Sequence, residues 1–111
     1  MLPEAALQVV RRWAAERTPS EFQDRMRVEL AVHPRGLTTV ECSLMPNLDG
    51  EVDWLRVPSA RLSYSSGSGE WTLYSFDRNG KVHRYPDFEP SREIQDLLDE
   101  IEDDPTCIFW G

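Results

Sequence analysis

The sequence predicts one α+β domain, residues 1–111, in which an antiparallel sheet of about five strands carries an N-terminal and a C-terminal helix packed on it. Apolar residues repeat with helical spacing near both ends of the chain, and the residues between them alternate with the period of a strand. Gly, Pro, Asn and Ser clusters separate the alternating runs, as turns do. A length of 111 residues suits a single core.

The first helix is predicted over about Pro3 to Arg17. Proline suits the first position of a helix, and an apolar stripe follows it at helical spacing. The stripe consists of Ala6, Leu7, Val9, Val10, Trp13 and Ala14. Thr18-Pro19 ends the helix, because the residue before a proline is driven out of the helical region.

Alternating apolar residues predict the strands that follow. The predicted strands cover Met26 to Val32, Val40 to Leu44, Val57 to Tyr64, Trp71 to Asp77, and a fifth run after Asn79-Gly80. A turn at His33 to Gly36 separates the first two. Met45 to Asp53 contains four turn-forming residues and is the longest predicted loop.

Asn79-Gly80 predicts a two-residue hairpin, since both central positions of that turn need a positive φ. In the resulting register Phe76 faces His83 and Tyr74 faces Tyr85. One face of the hairpin then carries Thr72, Tyr74, Phe76, His83 and Tyr85. This aromatic face is a candidate binding surface, because rigid rings bury area at a small entropic cost. The alternative is that a helix covers it and that the tyrosines belong to the core.

The last helix is predicted from Ser91 to Asp103. Its core-facing stripe is Ile94, Leu97, Leu98 and Ile101. The outer face is acidic, and Asp96, Glu100 and Asp103 on it are candidate binding residues. Like charges four residues apart cost a few tenths of a kcal/mol per pair. Either an arginine of the first helix (Arg11, Arg12 or Arg17) or a basic partner relieves this repulsion.

The net charge of −8 lies entirely in residues 86–111, which hold nine acids and one base. Residues 1–85 hold eleven of each and are neutral. Nucleic-acid binding needs a basic footprint, so the charge argues against a nucleic-acid partner. No apolar stretch reaches the roughly 20 residues that cross a bilayer, and the N-terminus does not have the pattern of a signal peptide. We therefore expect no membrane partner and a cytoplasmic location.

The sequence offers no recognisable metal, cofactor or catalytic site. The candidate zinc ligands His33, Cys42, His83 and Cys107 are scattered without a paired short spacing. The turns that resemble calcium loops lack the closing Glu, and no glycine-rich phosphate loop is present. Cys42 lies at strand spacing, which predicts a reduced, buried thiol.

Three apolar residues, Ile108 to Trp110, stand at the C-terminal end of the sequence. Exposed in water, such a patch would favour association. We expect this tail to return onto the sheet, either in the core or as an edge strand.

Several motifs resemble those of a family of small bacterial proteins catalogued as domain of unknown function three-zero-two-four. They are Ala60-Arg61-Leu62, Trp71-x-Leu73-Tyr74, His83-Arg84-Tyr85, Leu97-Leu98-x-Glu100-Ile101 and the closing Ile108-Phe109-Trp110-Gly111. The resemblance implies a stand-alone bacterial domain of the cytosol. The family has no established activity, so the resemblance assigns no functional residue.

Three functions fit the sequence. The first is a non-catalytic module that binds another protein through the aromatic face or the acidic helix. The second is a small hydrolase or ligand-binding domain that uses Asp77 and the run His83, Arg84 and Tyr85. The third is an immunity-type inhibitor whose acids block a basic partner. The sequence leaves the oligomeric state open.

Overall fold

The computed structural model describes residues 2–17, 20–22, 24–46, 48–86, 88–104 and 108–109. Two α-helices cover one face of an antiparallel five-stranded sheet. The elements are α1 (Glu4–Arg17), a 3₁₀ turn (Ser20–Phe22), β1 (Met26–His33), β2 (Gly36–Pro46), β3 (Val52–Ser65), β4 (Glu70–Phe76), β5 (Val82–Arg84) and α2 (Ile94–Asp103). The strands lie in the order β1-β2-β3-β4-β5, each beside its neighbour in sequence. The predicted fold class is confirmed.

The core lies between the helices and one face of the sheet. Both predicted helical stripes are confirmed, since Leu7, Val10, Trp13 and Ala14 of α1 and the four apolar residues of α2 are buried. α1 packs mainly on β1, and α2 packs on α1 and β4. The sheet contributes Leu37, Ala60, Leu62, Trp71 and Leu73 to the same cluster. We call this side of the sheet the helix-side face and the other side the open face.

The last helix begins three residues later than the sequence predicted. Ser91 is not helical, because its backbone N–H and C=O both pair with Trp71, at 3.0 and 2.7 Å. The Ser91 hydroxyl instead accepts a hydrogen bond from the Glu93 N–H and donates one to Asp96. Helix α2 therefore starts at Ile94, and the segment before it is anchored to the edge of β4.

The predicted loop from Met45 to Asp53 is wrong at both ends. Met45 pairs with Asp53 and Pro46 with Val52, so the two strands continue almost to the turn. The loop prediction rested on four turn-forming residues. Pro46 belongs to β2, whereas Asp49 and Gly50 lie in the connection between β2 and β3. We call the distal part of this ribbon, residues 43–46 and 52–57 with Met26 beside it, the arm.

A register shift between Thr39 and Val40 places an extra residue, Ser59, in β3. Thr39 and Ser59 are both buried, and their hydroxyl oxygens lie 2.7 Å apart. Their mutual hydrogen bond satisfies two polar groups that burial would otherwise leave unpaired.

The C-terminal tail returns to the core at Phe109. The Phe109 ring is 3% exposed and lies 5.1 Å from the ring of Tyr85. Asp104, which ends α2 in the left-handed region at φ 41°, accepts a hydrogen bond from the Phe109 N–H at 3.1 Å. Ile108 is exposed, and the part of the prediction that concerns Trp110 lies outside the described residues.

No helix within the described ranges is long and apolar enough to cross a membrane.

Candidate functional site

The hairpin between β4 and β5 differs from the predicted register by one residue. Asp77 and Lys81 flank a three-residue connection, which ends at Gly80 with φ +80°. The Gly80 N–H donates to the Asp77 carbonyl at 3.0 Å, as in a type I turn followed by a left-handed residue. One Asp77 carboxylate oxygen accepts hydrogen bonds from the N–H groups of Asn79 and Lys81. Asp at the first turn position thus selects the longer loop over the two-residue turn.

This register divides the predicted aromatic face between the two sides of the sheet. Phe76 pairs with Val82 and Tyr74 with Arg84, and all four point to the open face. His83 pairs with Ser75 and lies on the helix side. The prediction of one face that carries Tyr74, Phe76, His83 and Tyr85 is therefore wrong. A shift of one residue moves every side chain of a strand to the other face.

Tyr85 belongs to the core rather than to a surface. It is 2% exposed, and its hydroxyl donates a hydrogen bond to Glu100 at 2.9 Å. This bond connects the end of the sheet to α2 and engages a carboxylate that the sequence had suggested for partner binding. For Tyr85, the alternative of a buried tyrosine with a satisfied hydroxyl is confirmed.

His83 and Asp77 form an exposed pair. The Nε2 atom of His83 lies 2.7 Å from the second carboxylate oxygen of Asp77, and the His83 side chain is 59% exposed. Arg84 projects from the opposite face of the sheet, and Tyr85 is buried in the core. The four residues suggested for a small hydrolase therefore do not converge. Within the described residues, His83 forms no hydrogen bond to a second group that could act as a nucleophile.

The hydrogen bond between His83 and Asp77 makes the stability of the fold depend on pH in the acidic range. The hydrogen bond from His83, together with those from the backbone of Lys81 and Asn79, holds the pKa of Asp77 below its ordinary value of 3.8. The ionised form thus stabilises the fold fully above pH 3.8, and this contribution is lost as the pH falls through the lower pKa of the folded state.

Asp77→Asn is therefore expected to make the acid side of the stability profile less steep. Asn keeps an oxygen that accepts from the two turn N–H groups but has no carboxylate to titrate. Melting temperatures measured from neutral to strongly acidic pH should fall less for the variant than for the wild type. His33→Gln serves as the control and should keep the wild-type slope. Parallel profiles for Asp77→Asn and the wild type would contradict this role of the pair.

The open face presents Tyr74 between two arginines. Arg61 of β3 pairs with Tyr74 of β4, which in turn pairs with Arg84 of β5, so the three side chains form one row across the sheet. Tyr74 and Arg61 are half-buried and Arg84 is exposed. Neither arginine forms an ion pair with another described residue. Phe76 lies next to this row on the same face. We call Arg61, Tyr74, Phe76 and Arg84 the sheet-face row.

A second cluster lies on the open face nearer to the arm. Glu29 accepts hydrogen bonds from Arg27, at 2.7 Å, and from Arg56, and these bonds hold the pKa of Glu29 below its usual range, Arg56 having the larger effect. The Arg27 guanidinium also lies 4.2 Å from the centre of the Trp54 ring. Beneath them Cys42 is a buried free thiol, as predicted, and burial raises its pKa. These arginines are paired within the protein, unlike those of the sheet-face row.

The negative charge of helix α2 is partly neutralised by another residue of the same protein. Arg17 of α1 forms an ion pair with Glu102, so one of the three suggested arginines relieves part of the repulsion. Of the candidate binding residues, Asp96 is hydrogen-bonded to Ser91 and Glu100 to Tyr85. Asp103 is exposed and has no hydrogen bond or ion pair to another described residue.

The outer side of α2 borders a groove of about 820 Å³ in the described part of the chain. The segment 88–91 forms its other wall. Six of the residues that line it are acids and none is a base: Glu89, Asp96, Asp99, Glu100, Glu102 and Asp103. A groove of this charge suits a basic protein surface better than an anionic ligand.

A second groove, of about 560 Å³, lies between the 77–80 turn and β3. It brings Asp77 near Glu41, whose carboxyl pKa is raised by burial, and near Arg56. His83, Arg84 and Tyr85 do not line it. The groove therefore does not assemble the predicted hydrolase residues.

Sequence reasoning missed Arg61, and a signal for it was present. Ala60 and Leu62 are both buried on the helix side, so the period of two places Arg61 on the open face. Its position beside Tyr74 depends on the pairing of β3 with β4, which the sequence alone did not specify. No group of three or more potential metal ligands occurs among the described residues.

Comparison with known proteins gives a family and no function. A family model described as "Domain of unknown function (DUF3024)" matches residues 2–111. No curated protein matches the chain, and no solved structure does.

Proposed function

Because the chain belongs to the DUF3024 family, a domain of unknown function, we propose a function from its geometry: a non-catalytic module that binds another protein. We place this module in the bacterial cytoplasm. The sheet-face row is its binding surface, and the partner presents an acidic patch with apolar contacts beside it. The proposal includes no nucleic acid and no membrane as partner.

The observation that carries the proposal is the row itself, with Tyr74 between Arg61 and Arg84 on the face opposite to the two described α-helices. Tyr and Arg are enriched among the residues that dominate binding energy in protein interfaces. Strand pairing fixes the spacing of the three side chains, so little backbone freedom is lost when a partner binds. Phe76 adds apolar area at the edge of the row.

The charge of the row supports an acidic protein partner. Arg61 and Arg84 have no acid beside them among the described residues, so a carboxylate of the partner can form bidentate hydrogen bonds with either guanidinium. A nucleic acid would meet the same two arginines, but it would also meet the field of a chain with a net charge of −8. A protein with a local acidic patch avoids most of that repulsion.

A second candidate function rests on the acidic groove beside α2. Among the described residues six acids line it, and Arg17 pairs with only one of them, Glu102, so the groove favours a basic protein, as in an inhibitor that blocks a toxin surface. Arg11 pairs with Glu4 and does not neutralise the groove. The hydrolase or ligand-binding alternative has less support, because Arg84 projects from the face opposite to His83 and Tyr85 is buried in the core.

The test compares three charge-altered variants with the wild type. The sheet variant carries Arg61→Glu and Arg84→Glu, and its control carries Arg12→Glu and Arg35→Glu, two exposed arginines off the row. The helix variant carries Asp99→Asn and Asp103→Asn. A partner is first captured on immobilised wild-type protein from a lysate of the source cells and identified. Its affinity for each purified variant is then measured by calorimetry.

We expect the sheet variant to bind the identified partner at least about 30-fold more weakly, because hot-spot residues contribute about 2 kcal/mol or more. The control and the helix variant should bind as the wild type does. Loss of binding in the helix variant alone would favour the inhibitor function. Equal affinity of all variants, with unchanged circular dichroism spectra, would contradict both surfaces.

A further inference from the structure

The helix-side face of the arm carries a contiguous patch of exposed apolar side chains. Met26 of β1, Met45 of β2, and Leu55 and Val57 of β3 are 46 to 52% exposed. Ser43 pairs with Met26 on one side and with Leu55 on the other, so these residues share one face. We call Met26, Met45, Leu55 and Val57 the arm face. Scattered apolar residues are common on surfaces, but a contiguous patch marks an interaction site.

The patch begins where the helix layer ends. Val28 packs against the core, whereas Met26, two residues earlier on the same face, is exposed. Glu41, which pairs with Val28, lies in the field of Arg17, the last residue of α1. The sheet continues past this point as a thin ribbon of two or three strands. Such a ribbon has little stability in water unless one of its faces is covered.

The accessible surface of the single chain is larger than the average for globular monomers of the same mass. Its accessible area is 7302 Å², whereas a mass of 12.8 kDa predicts about 6,300 Å² for a globular monomer. The excess of about 1,000 Å² is close to the roughly 800 Å² that each partner buries in an interface of standard size. The molecule is also elongated, with a long axis of 50 Å against 27 and 25 Å for the other two.

A second copy of the chain suits this patch better than a charged partner does. The centre of the patch, Met26, Ser43 and Leu55, is uncharged and can pack against its own copy, as a two-fold interface requires. The acids of the same face, Asp53 and Glu41, lie at the two ends of the patch, beside Met45 and Val57. Helix α2 packs on α1 and β4 rather than on the arm. Two copies can therefore meet through their arms without bringing their acidic helices together.

We infer that two copies of this chain form a symmetric dimer in which the arm faces pack against each other. In this dimer the arm of one copy covers the arm face of the other, as the two helices cover the rest of the helix-side face. Sheets packed in this way lie about 10 Å apart. The dimer leaves the sheet-face row free, so the inference does not depend on the proposed function.

The test measures the mass of the full chain by sedimentation equilibrium from micromolar to submillimolar concentration. The wild type should sediment as twice 12.8 kDa. Leu55→Glu should sediment as a monomer, with the dissociation constant raised at least about 100-fold, because a dimer would bury two unpaired carboxylates. Val82→Glu is the matched control, since Val82 is equally exposed, at 46%, but lies on the open face. It should remain a dimer.

Met45→Lys is a second variant for the case that Leu55→Glu does not fold, and it should also be monomeric. A monomeric wild type at the highest concentration would overturn the inference. So would a dimer that survives either arm variant, or one that Val82→Glu dissociates equally.

Discussion

Phe109→Ala is expected to lower the free energy of unfolding by about 3 to 5 kcal/mol, which is the usual cost of removing a buried phenylalanine ring. The ring is 3% exposed and packs on Tyr85, whose hydroxyl connects the sheet to α2. Its loss leaves a cavity at the junction of the tail, the sheet and the second helix. Chemical denaturation with circular dichroism would measure the change.

Ile108→Ala is the control, because Ile108 is 44% exposed and its truncation should cost less than about 1 kcal/mol. A Phe109→Ala protein as stable as the wild type would contradict a structural role for the tail. If that variant also lost binding to an identified partner, the tail would be a docking element instead.

Trp71→Ala is expected to have an effect of similar size, about 3 to 5 kcal/mol. Trp71 is 2% exposed, and its ring centre lies 4.9 Å from that of Tyr64. Its backbone also holds Ser91, so the cavity would open beside the segment that leads into α2. Since small domains are stable by only about 5 to 15 kcal/mol, a large part of the variant should unfold well below the wild-type melting temperature.

Trp54→Ala removes the same side chain from a different environment and serves as the matched control. Trp54 is half-buried on the arm beneath Arg27, and the loss of that contact should cost about 1 kcal/mol. Equal destabilisation by the two substitutions would contradict the assignment of Trp71 to the core. Thermal melts of both variants under one set of conditions make this comparison.

The helices could be predicted from sequence because each buries a single stripe. The spacing of Leu97, Leu98 and Ile101 permits only one face toward the sheet, and the structure buries that face. The start of α2 could not be predicted, since Ser91 is a good helix cap by type. Its backbone pairs with Trp71, a partner twenty residues earlier that local sequence does not reveal.

The strands were predictable in number but not in length. Pro46 indicated a long loop, and the backbone pairs of Met45 and Val52 instead extend the ribbon beyond it. Proline is tolerated there because no third strand lies beside that end of β2 in the described structure. The arm, and with it the exposed apolar face, was therefore hidden by the prediction of a loop.

The candidate surface was only partly predictable, and one turn explains why. Asn79-Gly80 is preferred in two-residue hairpins, but the Asp77 carboxylate binds two turn N–H groups and stabilises a three-residue connection. Tyr74 and Phe76 were correctly placed on one face together. The one-residue error in the predicted register put His83 and Tyr85 on the wrong face of the sheet. Arg61 could not be placed beside Tyr74, because local sequence did not specify that β3 pairs with β4.

The separation of charge across the sheet has a consequence for how the molecule meets its surroundings. The acids of α2 lie beyond the helix layer, and the free guanidinium groups of Arg61 and Arg84 lie on the opposite side. These residues give the protein a dipole component whose positive end points out of the open face. In the field of the acidic partner that we propose, this component would produce a torque that turns the open face forward before contact, and salt would weaken that torque over a Debye length of about 8 to 10 Å.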